Sequence, residues 1–220
     1  MPYKLKTQYK KILADTITPV SIYLKIRDKF PNSILLESSD YHGNENSFSY
    51  VCCKPIASIS VNGNSLTRKY PDLRTEVISI DESVDVPMLI HDFSREFTAD
   101  SRKFKFINNG LFGYISYDAV QFFEDISLTE KPDKLDIPEI YYAVYQNIIA
   151  INHFKNEAYI FSHSISDENN TDEIHQLIDN KNFASFDYRN KQDEISNFTD
   201  EEFLKLVEQA KKHCYRGDVF

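Results

Sequence analysis

The chain has 220 residues, 41% of them hydrophobic and 14% aromatic, with a formal net charge of −9 and no Trp. That is enough apolar material for one large domain or two small ones. The acidic balance argues against a nucleic-acid surface, and no apolar run approaches the roughly 20 residues that span a bilayer, so neither partner is expected.

The opening MPYKLKTQYKK is basic but lacks the apolar core of a secretory signal. Thr18-Pro19 then starts the first predicted helix, with Thr at the N-cap and Pro at the first helical position. Val20, Tyr23, Leu24 and Phe30 follow one face and Pro31 stops it. Ser33 to Ser38 reads as a strand, and the polar loop SDYHGNENS leads to FSYVCCKP, a second strand ended by Pro55. Cys52 and Cys53 are neighbours in that strand, so they face opposite ways and do not bridge. With only three cysteines in the chain, a reduced, cytoplasmic protein is expected. Ile56 to Val61 alternates in strand fashion, and Asn62-Gly63 is a hairpin turn before SLTRK.

Residues 86 to 98 carry Leu89, Ile90, Phe93 and Phe97 at helical spacing. GLFGYISYDAVQFFED reads as a strand followed by a short helix that Asp118 caps. YQNIIAINH and AYIFSH form a hairpin turning at Phe154 to Glu157, and a helix follows near Thr171 to Asp179. Asn180 to Ser196 is the candidate linker. Beyond it Thr199 with Glu202 makes a capping box, Phe198 and Phe203 a hydrophobic staple, and Gly217 the helix stop. Its apolar stripe includes Cys214, read there as a core residue. The strand letters DVF come next, so the sequence is expected to be a fragment. Helices before, between and after runs of strands, without regular βαβ alternation, predict an α+β fold: mostly antiparallel, sandwich-like sheets with flanking helices.

Little catalytic chemistry is legible. None of the five glycines forms a phosphate-cradling loop. The six histidines, at 42, 91, 153, 163, 175 and 213, lack metal-ligand spacing. The hairpin register is expected to set His163 opposite 148–150, away from His153. Ser116 lacks the second glycine of a nucleophile elbow. Glu37, within the strand-like ILLESS, is the residue that raises a question. It is either solvated on an edge strand or aimed into a cleft, where a ligand ammonium would gain about 1.5–3 kcal/mol from a charge-assisted hydrogen bond. A hydroxyl beside it at Ser38 and an apolar pocket would suit an amino acid with a large side chain.

Four segments in order, TPVSIYLKIRDKFPNSILLESS, FSYVCCKPIASI, GLFGYISYDAVQFFED and FTDEEFLKLVEQAKKHCYRGDVF, resemble the N-terminal half of the anthranilate synthase large subunit, of the chorismate-utilising enzymes. The first holds the family's LLES signature at Leu35 to Ser38. The second is similar to RYSFIGLDP, with Phe48, Ser49 and Pro55 in register, although Cys52, Cys53 and Lys54 replace Gly-Leu-Asp. The resemblance implies that chorismate and ammonia become anthranilate and pyruvate, with Mg²⁺ as cofactor and a glutamine amidotransferase subunit as partner. It implies an N-terminal regulatory domain over 1–190, then over 191–220 a linker helix and the start of the chorismate-binding domain. It implies that Leu36, Glu37, Ser38 and Ser49 bind the feedback inhibitor L-tryptophan, Glu37 facing its ammonium. Catalytic groups and metal ligands would lie beyond residue 220, leaving this chain inactive alone. Aminodeoxychorismate synthase, which shares fold and substrate, and a standalone amino-acid-binding module are the alternatives.

Overall fold

In the computed structural model, residues 2–37, 47–99, 104–126, 128, 137–180 and 195–219 are described. The basic opening is not a tail: Tyr3–Leu13 forms strand β1. Its lysines look across to acidic groups, Lys10 to Asp172 at 3.0 Å and Lys6 and Lys11 to Asp167 and Glu157. A strand so rich in lysine shows a weak apolar alternation, which hides it in the sequence. Helix α1 (Pro19–Arg27) starts as expected, Thr18 Oγ1 accepting the Ser21 N–H at 3.1 Å, and ends at the Asp28 cap, before Pro31.

Strand β2 (Ile34–Leu36) follows, then β3 (Phe48–Asn62), β4 (Ser65–Lys69) and β5 (Thr75–Ser79). Pro55 does not end a strand. β3 runs through it because Lys54 adopts φ 57° and the ladder shifts register between Pro55 and Ala57, a bulge that absorbs the missing N–H. Asn62-Gly63 makes the expected hairpin, with Gly63 at φ 54°. Helix α2 spans Val86–Arg95, shorter than the periodicity predicts. Phe97 instead begins strand β6 (Phe97–Ala99), which runs parallel to β1. Strand β7 (Phe112–Ile115) leads to a 3₁₀ turn, Tyr117–Phe122, where Ser116 and not Asp118 holds the N-cap position. Strands β8 (Ile140–Asn152) and β9 (Glu157–Ser164) form the hairpin, and helix α3 (Thr171–Asp179) follows. The candidate linker lies mostly outside the described residues.

The strands form one nine-stranded sheet, ordered β5-β4-β3-β8-β9-β1-β6, with β2 beside β3 and β7 beside β8. All pairs but β1–β6 are antiparallel. The sheet curls until its two ends share a core, where Tyr3 of β1 stacks on Tyr70, just past β4, with ring centroids 6.1 Å apart. Three apolar clusters result. The first lies under α1 and α3 (Ile22, Ile26, Val51, Ile149, Ile174), the second under α2 (Ile59, Leu66, Phe93, Ile140). The third, aromatic, gathers Cys52, Phe112, Tyr145 and Phe161. Each such side chain, fully buried, contributes about 1.5–3 kcal/mol.

The chain divides into two compact units, residues 1–184 and 185–220. The second holds helix α4 (Asp200–Arg216), with the capping box at Thr199 and Glu202 and a left-handed Gly217 at φ 76°. No α4 residue is buried. Cys214, read from the sequence as a core residue, is exposed.

Candidate functional site

The β2–β3 register pairs Ile34 with Cys52, Leu35 with Val51 and Leu36 with Tyr50. Neighbouring side chains leave a strand on opposite sides. Leu35 and Val51 therefore join the first core, while Leu36, Tyr50 and Cys52 join the third. Glu37 follows β2, and one further step of that register sets position 37 opposite position 49. Here the first core runs out of apolar residues. Ser49 is wholly buried, and its Oγ lies 2.7 Å from Nε2 of His153.

His153 is held from behind. β3 and β8 pair to their ends at Phe48 and Asn152, and the His153 N–H donates to the Ser47 carbonyl at 3.1 Å, one step beyond. The following turn is fixed by the Asn152 side chain, which accepts the Lys155 N–H at 2.9 Å, and by Asn156 at φ 51°. The Asn156 carbonyl accepts the Ala14 N–H at 2.8 Å, tying the end of β1 and the approach to α1 onto the turn.

These pieces surround a cavity of about 470 Å³. Ala14, Ile17, Pro19, Val20 and Ile151 form its apolar wall, and Asp15, Thr18, Glu37, Asn152, His153 and Asn156 its polar one. Two carboxylates beside an imidazole and amides, facing an apolar wall, can hold a small zwitterion with an apolar side chain. Farther along the β3–β8 ladder, burial pushes the Cys53 thiol up to about 12 and raises the Tyr145 phenol, whose hydroxyl donates to the Asn32 carbonyl.

Of the residues expected to form one site, Glu37 borders this cavity and Ser49 stands behind His153. Leu36 is turned to the opposite side of the sheet, and Ser38 lies outside the described residues. His153 and Asp15 are not singled out by the sequence as ligand contacts. His163 has a structural role, in a register that pairs Ser162 with Asn147 and not with 148–150. Its Nε2–H donates to the Asn108 carbonyl at 2.7 Å and its Nδ1 accepts from Thr7 at 2.9 Å, while burial lowers its pKa.

The profile of the chorismate binding enzyme family matches residues 34–220. The chain belongs to the chorismate binding enzymes. Anthranilate synthase component 1 of Lactococcus lactis is 26% identical over 233 aligned positions, covering 96% of this chain and 46% of that protein. The Methanothermobacter thermautotrophicus protein of the same name is 25% identical, covering 100% and 42%. This chorismate-binding enzyme chain thus spans just under half the length of those relatives. The crystal structure of anthranilate synthase component I from Streptococcus pneumoniae superposes with a TM-score of 0.51 over 96% of this chain and 46% of that one. At 17% identity that likeness establishes the fold.

Among the described residues, no group of three or more His, Cys, Asp or Glu side chains could hold a metal ion. No helix among those residues is long and apolar enough to cross a membrane.

Proposed function

We propose that this chain is the amino-terminal, regulatory part of an anthranilate synthase component I, acting in the cytoplasm in tryptophan biosynthesis. The whole protein would turn chorismate and ammonia into anthranilate and pyruvate, with Mg²⁺ and a glutamine amidotransferase subunit. Support comes from the family match and from the names and coverage of the relatives. In this reading residues 1–190 are the regulatory domain, and 191–220 lead into the chorismate-binding part.

The cavity is the proposed L-tryptophan feedback site, and the observation that carries this reading is Glu37 at its border, where the part-buried pair Ser49–His153 ends the core. Glu37 takes the ligand ammonium, Ser49 acts from behind the wall, and Ser38 joins them by sequence position. Leu36 is a support, anchoring β2 from the other side of the sheet. Occupancy would bias a domain arrangement less able to close on chorismate, which is coupling between two sites.

Calorimetry with L-tryptophan on the parent chain and on Glu37→Gln tests the assignment. Losing a charge-assisted pair should weaken binding by about tenfold or more. Equal binding by the two proteins would remove Glu37 from the site.

A further inference from the structure

A zwitterion has two poles, and the cavity wall treats them unequally. Asp15 and Glu37 offer two carboxylates for an ammonium. The described lining residues include no lysine and no arginine. A ligand carboxylate placed there needs a donor, preferably one able to carry positive charge, since the two acidic groups would otherwise repel it. Thr18, Asn152 and Asn156 are neutral, so a hydrogen bond from any of them would lack a donor charge. Among the described lining residues, His153 is the one basic side chain.

Its placement is also specified. The backbone N–H of His153 is tied to the Ser47 carbonyl, and Nε2 to the Ser49 hydroxyl at 2.7 Å. Ser49 has no exposed surface, so a ligand in the cavity meets the imidazole and not the serine. A half-buried side chain whose backbone N–H and one ring nitrogen are both held has little rotamer freedom left to lose when a ligand arrives.

We propose that His153 is the residue that recognises the α-carboxylate of the bound amino acid, with Ser49 acting as its positioning residue. This rests on the amino-acid-site reading above and orients the ligand within it: ammonium toward Asp15 and Glu37, carboxylate toward His153, side chain along Ile17, Pro19 and Val20.

The test compares L-tryptophan with L-tryptophanamide, which keeps the ammonium and indole but replaces the carboxylate by a neutral amide. Binding of each to the full 220-residue chain is measured by calorimetry. The parent should prefer tryptophan by about tenfold, the worth of one charge-assisted hydrogen bond. His153→Ala should bring that ratio close to one, His153→Gln should restore part of it, and Ser49→Ala should fall between parent and His153→Ala. Because the ratio is taken within one protein, a general loss of structure cannot move it. Retention of the parent's preference by His153→Ala would overturn the proposal. If Glu37→Gln then weakened both ligands alike, the amino-acid site would stand without His153. Binding of neither ligand by the parent would overturn both.

Discussion

The two ends of the β3–β8 ladder are built to different rules. At one end Val61 pairs with Ile140, and Leu66, Val86 and Phe93 close over them with no exposed surface or almost none. Polar groups buried there serve the backbone: the Glu139 carboxylate accepts the Gly63 N–H at 2.9 Å, and Arg68 donates to the Leu89 carbonyl at 2.6 Å. At the other end Ser49 and Ile151 are opposite each other, and the core gives way to a serine–histidine pair beside a cavity. Burying a hydroxyl against an imidazole adds less stability than an isoleucine would. One end holds the fold through apolar packing, and the other sets polar side chains beside a cavity.

Mutations at the sealed end should break the fold and spare the ligand. Phe93→Ala should cost most, about 3–5 kcal/mol, since it empties a fully buried site between Tyr70 and Phe97. Urea unfolding would read the loss, and tryptophan affinity of the folded fraction should stay within about twofold of the parent, because additivity holds for distant sites. A shift in affinity matching the shift in stability would mean the two ends are one unit.

Gly113→Ala comes next. A Cβ there would overlap the Tyr141 carbonyl and sit 2.8 Å from the Tyr142 Cα, both backbone, so β7 must move off β8. Overpacking of this kind costs about 1–3 kcal/mol, again read by urea unfolding. A variant as stable as the parent would show that β7 adds little to the sealed end.

The smallest effect is expected from Tyr70→Phe. Burial first, then Glu96 and Glu76, push the Tyr70 hydroxyl up to about 12 from 10.0. Its folded value is raised, so the neutral form is favoured in the native state. Its contribution is present below pH 10 and is lost as pH rises toward 12. Tyr70→Phe should cost about 1 kcal/mol at pH 7 and flatten the loss of stability between pH 10 and 12. An unchanged alkaline slope would assign that loss to other groups, such as Tyr50, which burial also pushes up to about 12.

Much of the architecture is legible in the residues. Thr18-Pro19, Asn62-Gly63 and the Thr199–Glu202 box carry their own stop and start chemistry, and each element begins where that chemistry puts it. What escapes is non-local. β1 is invisible because its alternation is written largely in lysines whose partners lie over 140 positions away. Pro55 misleads because the bulge at Lys54 is a tertiary solution. The site is legible to the same extent. Glu37 stands out as a charge ending an apolar run, a local anomaly. His153 does not, since only the pairing of Phe48 with Asn152 brings it to Ser49, 104 positions away.

The central claim is that the polar end of the ladder binds an amino acid and the sealed end does not. Titrating the isotopically labelled chain with L-tryptophan while following backbone amide resonances tests it directly. The account predicts saturable shifts at residues 14–20, at Glu37 and at 151–156, with Ile59, Phe93 and Ile140 unmoved. Shifts centred on the α2 end, or no shifts at all, would contradict it.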